Sequence, residues 1–176
     1  MRETKINGEV VFEGKILKVE KDKVLCPNGN ESYREVVRHN GGAAILCITK
    51  NNKIILEKQF RYAYDEILFE IPAGKLEKGE NPYDAAMREL EEETGYKTDK
   101  LESLGVMYPT CGYSSEKIYL YLANNLEKGH MHLDDDECIE LYEFTIDEIK
   151  NMIIENKIKD AKTIVAFSNY LLKYEK

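Results

Sequence analysis

Three glutamates at helical spacing, Glu89, Glu92 and Glu93, are the residues whose type and pattern most clearly indicate chemistry. In a helix, positions i, i+3 and i+4 emerge from one face, so the three carboxylates would lie within about 6 Å of one another. Like charges at that distance repel, and the neighbouring Arg88 offers only partial relief. A hard divalent cation such as Mg²⁺, which prefers carboxylate oxygens, would reverse the repulsion. The alternative is a solvated acidic face, the usual role of a glutamate-rich helix.

The segment before these glutamates favours the metal-binding alternative. A glycine-containing turn between a strand and a helix is predicted there, a place where exposed backbone groups can meet a ligand, at Gly74, Lys75, Lys78 and Gly79. The helix also has an apolar side that can pack on a core, formed by Ala85, Ala86 and Leu90. One helix would therefore carry a buried face and a carboxylate face, joined to a strand by a tight loop.

The composition indicates a soluble globular protein with one main domain. The chain has 176 residues, of which 43% are hydrophobic, enough for one core with a small appendage. Its formal net charge of -8 argues against broad nucleic-acid binding, which needs clustered cations. No apolar run approaches the ~18 residues of a membrane span, and no signal segment opens the chain. Scattered cysteines and histidines form no zinc pattern. We expect a cytoplasmic protein that binds neither nucleic acid nor membrane.

The elements that would position the glutamates alternate between strands and helices. Short strands are predicted at residues 10–12, 16–19, 24–25 and 33–37, then at 43–49, 53–58, 67–71, 101–107, 117–123 and 138–144. Pro82 suits the first turn of a helix that Gly95 ends. Thr145 and Asp160 can cap two further helices, over 146–156 and 161–174. This order predicts an α/β or α+β sandwich.

Asn40-Gly41-Gly42 breaks the first group of strands from the rest of the chain. We therefore divide the chain into a small β-sheet subdomain, residues 1–41, and a main domain, residues 42–176. A sheet of about three strands is marginal alone, so it is expected to pack on something else.

Residues 74–96 resemble the Nudix box, whose pattern is G, five residues, E, seven residues, R-E-U-x-E-E-x-G-U, with U a large apolar residue. The specified positions are filled by Gly74, Glu80, Arg88, Glu89, Leu90, Glu92, Glu93 and Gly95. The last position holds Tyr96, a mild departure. Membership of this family implies a Nudix-type α/β/α sandwich with a mixed central sheet, preceded here by the small antiparallel amino-terminal sheet. Within the box, Glu80 and Arg88 are expected to brace the loop against the helix.

Stretches outside the box make the chain similar to the bacterial ADP-ribose pyrophosphatases. They are residues 34–37 (REVV), 58–61 (KQFR), 70–74 (EIPAG), 112–116 (GYSSE) and 160–163 (DAKT). The resemblance implies a homodimer, joined by the amino-terminal sheet, that hydrolyses ADP-ribose to AMP and ribose 5-phosphate with Mg²⁺, or alternatively Mn²⁺. Cys111 stands where that family commonly has proline, and Pro109 lies two residues earlier. Other nucleoside diphosphate sugars and oxidised nucleotides therefore stay open as substrates.

The resemblance also implies which groups bind the metal. Glu89 and Glu93 are the expected principal ligands, Glu92 shares the cluster, and the carbonyl of Ala73 completes it. An acidic run at 134–137, Asp-Asp-Asp-Glu, is expected to be a solvated loop, with a further metal contact as its alternative.

Catalysis and substrate binding are assigned to residues outside that cluster. Glu116, in a polar loop after the box, is the predicted general base, with Glu92 as the alternative. Arg34 and Arg61 are candidates for the substrate, because a guanidinium can stack on adenine or fork onto phosphate. Each could instead form a surface ion pair.

A non-catalytic module that senses ADP-ribose is the competing function class. Such sensors tend to lose carboxylates of the box and to gain a DNA-binding domain. Here the carboxylates are complete and the sequence ends at Lys176, so we expect an enzyme.

Overall fold

The computed structural model describes residues 1–133 and 137–175, which form two compact units. The first unit consists of Met1–Gly41 together with Tyr108–Lys117. The second consists of Gly42–Met107 and the chain from Ile118 onward. In the described part of the chain, no helix has the length and apolar character that a bilayer crossing requires.

The first unit is built on an antiparallel three-stranded sheet of β1 (Thr4–Glu13), β2 (Leu17–Leu25) and β3 (Glu31–His39). The two short strands predicted at 16–19 and 24–25 are one continuous strand, β2. The charged residues between the two predicted stretches, 20–23, also belong to this strand. They stay in the ladder because they pair across the sheet, as Lys23 does with Glu31 at 2.5 Å.

The segment 108–117 belongs to this unit because its backbone pairs with β3. The N–H of Val37 donates to the carbonyl of Tyr113 at 2.8 Å, and the N–H of Ser115 donates to the carbonyl of Val37 at 2.9 Å. The N–H of His39 donates to Oγ of Ser115 at 3.1 Å. The boundary predicted from sequence order instead groups these residues with the main domain, 42–176.

The second unit contains a seven-stranded sheet in the order β12-β5-β4-β10-β9, with β6 beside β5 and β7 beside β4. Its strands are β4 (Gly42–Ile48), β5 (Lys53–Arg61), β6 (Glu66–Glu70), β7 (Ala73–Lys75), β9 (Leu101–Met107), β10 (Ile118–Ala123) and β12 (Ile139–Thr145). A separate pair is formed by β8 (Tyr96–Lys97) and β11 (Glu127–Lys128). Strands β4 and β10 are parallel and their other neighbours antiparallel, which confirms the predicted mixed sheet.

Helices cover both faces of this sheet: α1 (Pro82–Thr94) on one, α2 (Ile146–Ile154) and α3 (Ala161–Tyr174) on the other. The run of apolar residues in β4 reflects burial on both sides. Leu46 packs in a core with Phe167 of α3, whereas Ile45 packs in a second core with Leu90 of α1. The predicted α/β/α sandwich is thus confirmed.

The helix boundaries follow from local capping. Asn81 accepts the N–H of Tyr83 at 2.9 Å ahead of α1, and Gly95, at φ 67°, ends the helix in a left-handed conformation. Thr145 forms a capping box with Glu148 at the start of α2. Asp160 caps α3 as expected. Helix α2 ends at Ile154, two residues earlier than predicted.

Candidate active site

The acidic flank of α1 lies against strand β7. Glu89 and Glu93 are buried, whereas the side chain of Glu92 is 39% exposed. The N–H of Ala73 donates to Oε2 of Glu93 at 2.7 Å, which fixes this carboxylate beside the strand. Of the four residues predicted to bind a metal, Ala73 and Glu93 are thus in contact, and Glu89 and Glu92 lie on the same helix as Glu93.

Gly74, the first residue of the box, is required by the position of Glu89. A Cβ at this position would overlap the Glu89 carboxylate. Glycine thus lets the side chain of the helix lie directly on the backbone of β7.

Arg88 braces the loop as expected, and it also holds two of the glutamates. Its Nε lies 3.2 Å from Oε1 of Glu80, and its Nη1 donates to Glu89 and Glu92 at 2.8 Å. Glu91, the fourth carboxylate of the helix, is instead 2.8 Å from Nζ of Lys97 and does not join the cluster.

Glu57 of β5 is a buried acid that the sequence analysis missed. It is 2% exposed and shares a hydrogen bond with Glu93. Its Oε1 has no hydrogen-bond partner among the described residues. An acid directly after three apolar residues of a doubly buried strand, 54–56, is the signal that could have revealed it. Glu89 has a cation partner in Arg88, whereas no ion pair involves Glu57 or Glu93 among the described residues, and we call Glu57 and Glu93 the uncompensated group.

Burial dominates the electrostatics of the uncompensated group. It raises the pKa of Glu93, and the nearby Glu57 and Glu89 raise that pKa further. Burial also raises the pKa of Glu57, against the lowering effects of the shared hydrogen bond and of distant cations. The pKa of Glu89 is raised by burial despite the attraction of Arg88. Such a site favours positive charge, from protons or from a cation.

A second buried acid, Glu70, is balanced by cations. Nε and Nη2 of Arg61 each donate to its carboxylate at 2.7 Å, and Nζ of Lys162 forms an ion pair with it. Burial raises the pKa of Glu70, but the two cations outweigh burial and leave that pKa below its usual value. We call Glu70, Arg61 and Lys162 the compensated group. Arg61, a predicted substrate residue, is thus engaged in a bidentate ion pair.

Two predicted site residues lie in the first unit. Nε of Arg34 donates to Glu3 at 2.9 Å, and its Nη1 donates to the carbonyl of Tyr33 at 2.8 Å. Oε1 of Glu116 lies 3.3 Å from Nδ1 of His39, a contact that the sequence analysis missed. The surface ion pair considered for Arg34 is therefore present, with Glu3 as its partner.

The uncompensated group suits a hard divalent cation. Within residues 1–133 and 137–175, no three acidic, histidine or cysteine side chains converge into a preformed metal site. The donors are nevertheless carboxylate oxygens, which Mg²⁺ prefers, and within the described part of the chain one buried oxygen of Glu57 has no hydrogen-bond partner. Residues 134–136, most of the acidic run proposed as a further metal contact, lie outside the described residues.

Comparison with known proteins gives the same family. The Nudix domain model matches residues 38–167. The chain is 45% identical to the methanol dehydrogenase activator of Bacillus methanolicus, over 93% of this chain and 90% of that protein. It is 40% identical to the ADP-ribose pyrophosphatase of Bacillus subtilis, over 98% of this chain and 95% of that one.

A solved structure supports the architecture. The crystal structure of an ADP compounds hydrolase superposes with a TM-score of 0.86, covering 99% of this chain and 97% of that one, at 21% identity. At that identity the likeness establishes the fold alone. The match of the domain model over most of the chain, and relatives alike over nearly its full length, show that this protein belongs to the Nudix family.

Proposed function

We propose that this protein hydrolyses the pyrophosphate bond of ADP-ribose to AMP and ribose 5-phosphate. The observation that carries the proposal is the pair of buried carboxylates, Glu89 and Glu93, at the junction of α1 and β7. The name of the Bacillus subtilis relative, ADP-ribose pyrophosphatase, supports this substrate. So does the same name of a relative from Mycobacterium tuberculosis, which is 36% identical over 70% of this chain.

Nudix ADP-ribose pyrophosphatases are metal-dependent hydrolases, and Mg²⁺ is our proposed cofactor, with Mn²⁺ as the alternative. Glu89, Glu92 and Glu93, with the carbonyl of Ala73, would hold it. When bound, such a cation would neutralise negative charge on the phosphate oxygens.

The remaining steps fall to side chains of the protein. Glu116 is proposed to accept a proton from the attacking water as a new P–O bond forms and the bridging P–O bond breaks. Glu92 is the alternative base. Arg34 and Arg61 are proposed to contact the substrate. Each guanidinium would then bind the substrate in addition to the carboxylate with which it is now paired, Glu3 or Glu70.

A substrate panel tests the function. The purified full chain is incubated with Mg²⁺ and ADP-ribose, a second nucleoside diphosphate sugar such as GDP-mannose, or an oxidised nucleoside triphosphate. The expected result is fastest cleavage of ADP-ribose, with AMP and ribose 5-phosphate as products. GDP-mannose pyrophosphatases are among the relatives, at 30–33% identity, so faster cleavage of that substrate would reassign the specificity. Failure to cleave any of them overturns the enzyme assignment.

A second candidate function comes from the relative named methanol dehydrogenase activator, which is 45% identical. This protein would, in that case, raise the turnover of an alcohol dehydrogenase. The test is the rate of the Bacillus methanolicus methanol dehydrogenase with and without the purified chain. A rate that does not change with added chain removes this candidate.

We also propose that the chain is a cytoplasmic homodimer. Every residue of β1 is exposed, and large apolar side chains cluster on it and just beyond: Ile6, Val10, Val11, Phe12 and Ile16. An exposed apolar patch of this kind marks an interaction site, and a second copy would cover it. Four free thiols support a reducing compartment. Light scattering is expected to give a dimer at micromolar concentration; a monomer would contradict the proposal.

A further inference from the structure

Glu57 occupies a strand position where an apolar side chain would be expected. Ile54, Ile55 and Leu56 before it are buried on alternate faces of β5, in the two cores of the second unit. Directly across the ladder on β6 lies another buried acid, Glu70. Two acids paired across a sheet are unfavourable unless something else compensates them.

Of the two facing acids, Glu70 is the one that is paired with cations. Arg61 binds Glu70 through two nitrogens, and Lys162 binds it as well. Glu57 instead faces Glu93, an acid of α1, and its Oε1 is buried without a hydrogen-bond partner among the described residues. A buried oxygen without a hydrogen-bond partner destabilises a fold, and more so if it is charged, so its retention calls for an explanation.

We propose that Glu57 is a direct ligand of the divalent cation that Glu89 and Glu93 bind. The inference rests on the proposed metal-dependent function. It adds a ligand from the central sheet to ligands from α1 and β7. A buried carboxylate oxygen that lies beside Glu93 and has no hydrogen-bond partner among the described residues is the type of donor that a hard cation binds. Glu57 would otherwise serve only to position Glu93 through their shared hydrogen bond.

Calorimetric titration of the metal-free full chain with Mg²⁺ separates these roles. Glu57→Gln keeps a group that can hydrogen-bond to Glu93 but removes the charged ligand. It is expected to weaken Mg²⁺ binding by at least about tenfold, whereas a role confined to the hydrogen bond with Glu93, which the amide retains, predicts a much smaller loss. The control is Glu91→Gln, on the same helix but paired with Lys97, which should bind Mg²⁺ like the wild type. Affinity of Glu57→Gln equal to the wild type overturns the proposal.

Thermal unfolding supplies a second readout that does not depend on activity. Mg²⁺ should raise the melting temperature of the wild type and of Glu91→Gln, and raise that of Glu57→Gln much less. Glu57→Leu matches the apolar strand and replaces Glu57→Gln if the latter does not fold. An equal Mg²⁺-induced shift in a folded Glu57 variant and in the wild type again overturns the proposal.

The same measurements distinguish this inference from the proposed function. If Mg²⁺ binding depends on Glu57 but the chain cleaves no substrate of the panel, the proposed function is contradicted and the assignment of Glu57 as a ligand is supported. If the chain cleaves ADP-ribose but Mg²⁺ binding does not depend on Glu57, the ligand assignment is contradicted and the proposed function is supported.

Discussion

The compensated and uncompensated groups of the second unit contain acids that are equally buried, but the pKa values of these acids are shifted in opposite directions. In the compensated group, Glu70 is 3% exposed and surrounded by Arg61 and Lys162. In the uncompensated group, Glu57 and Glu93 are 2% and 3% exposed and face each other. Burial raises the pKa of all three carboxyls, but only that of Glu70 is brought below its usual value by neighbouring cations.

This difference in pKa shift indicates that the compensated group stabilises the fold, whereas the uncompensated group is suited to binding a metal. A buried acid with its own cations adds specificity to the fold and has no need of a ligand. Acids buried together without nearby cations lower the stability of the empty protein and acquire a counter-charge when a metal binds. Folding therefore tolerates the uncompensated group, while the proposed chemistry depends on it.

The largest expected effect concerns Glu116, an acid that belongs to neither group. Glu116→Gln should lower turnover of ADP-ribose by roughly a hundredfold to ten-thousandfold, the range expected when a general base is lost. Because the amide has nearly the same shape, KM should change little. Steady-state kinetics with ADP-ribose and Mg²⁺ give both values. If most turnover survives, or if only KM rises, Glu92 becomes the better candidate for the base.

The next effect tests the uncompensated group. Glu93→Gln should lower turnover by at least about a hundredfold, the order expected for a lost catalytic metal contact. Without metal, the variant should be as stable as the wild type or more stable, because an acid leaves a repulsive cluster. Glu91→Gln serves as the matched control in both assays. Turnover of Glu93→Gln near the wild-type value at saturating Mg²⁺ would refute the metal assignment.

Changes in the compensated group are expected to alter the free energy of unfolding. Lys162→Met removes one of two cations from the buried Glu70 and should lower the free energy of unfolding by about 2 kcal/mol. Urea unfolding measures the loss. Adding Glu70→Gln to this variant should cost less than the sum of the single changes, because no uncompensated charge then remains. Additive losses would mean that Lys162 does not act through Glu70.

The smallest effect is a pH dependence of the same group. The pKa of Glu70 is lowered on folding, so its contribution to stability is fully present above the unfolded value of 4.5 and is lost as pH falls through the folded pKa. The wild type should therefore lose stability below about pH 4.5 more steeply than Glu70→Gln. Unfolding curves between pH 3 and 6 compare the slopes. Equal slopes would show that Glu70 gains nothing from its cations.

The sequence by itself determined the family, the sandwich and the three helices. The Nudix pattern places Glu89, Glu92 and Glu93 on one helix, and helical periodicity dictates that they share a side. Caps such as Thr145 and Asp160 are local interactions, readable from neighbouring residues. The doubly buried run in β4 required helices on both faces of the sheet.

Only the tertiary structure decided which charges meet. Glu57 and Glu93 lie on different elements, as do Glu70 and Lys162, and no spacing in the chain relates either pair. Arg61 and Glu70 face each other because β5 and β6 pair in a particular register. Compensation of a buried charge depends on distances of a few ångströms between distant segments, so it is a property of the packed fold rather than of any motif.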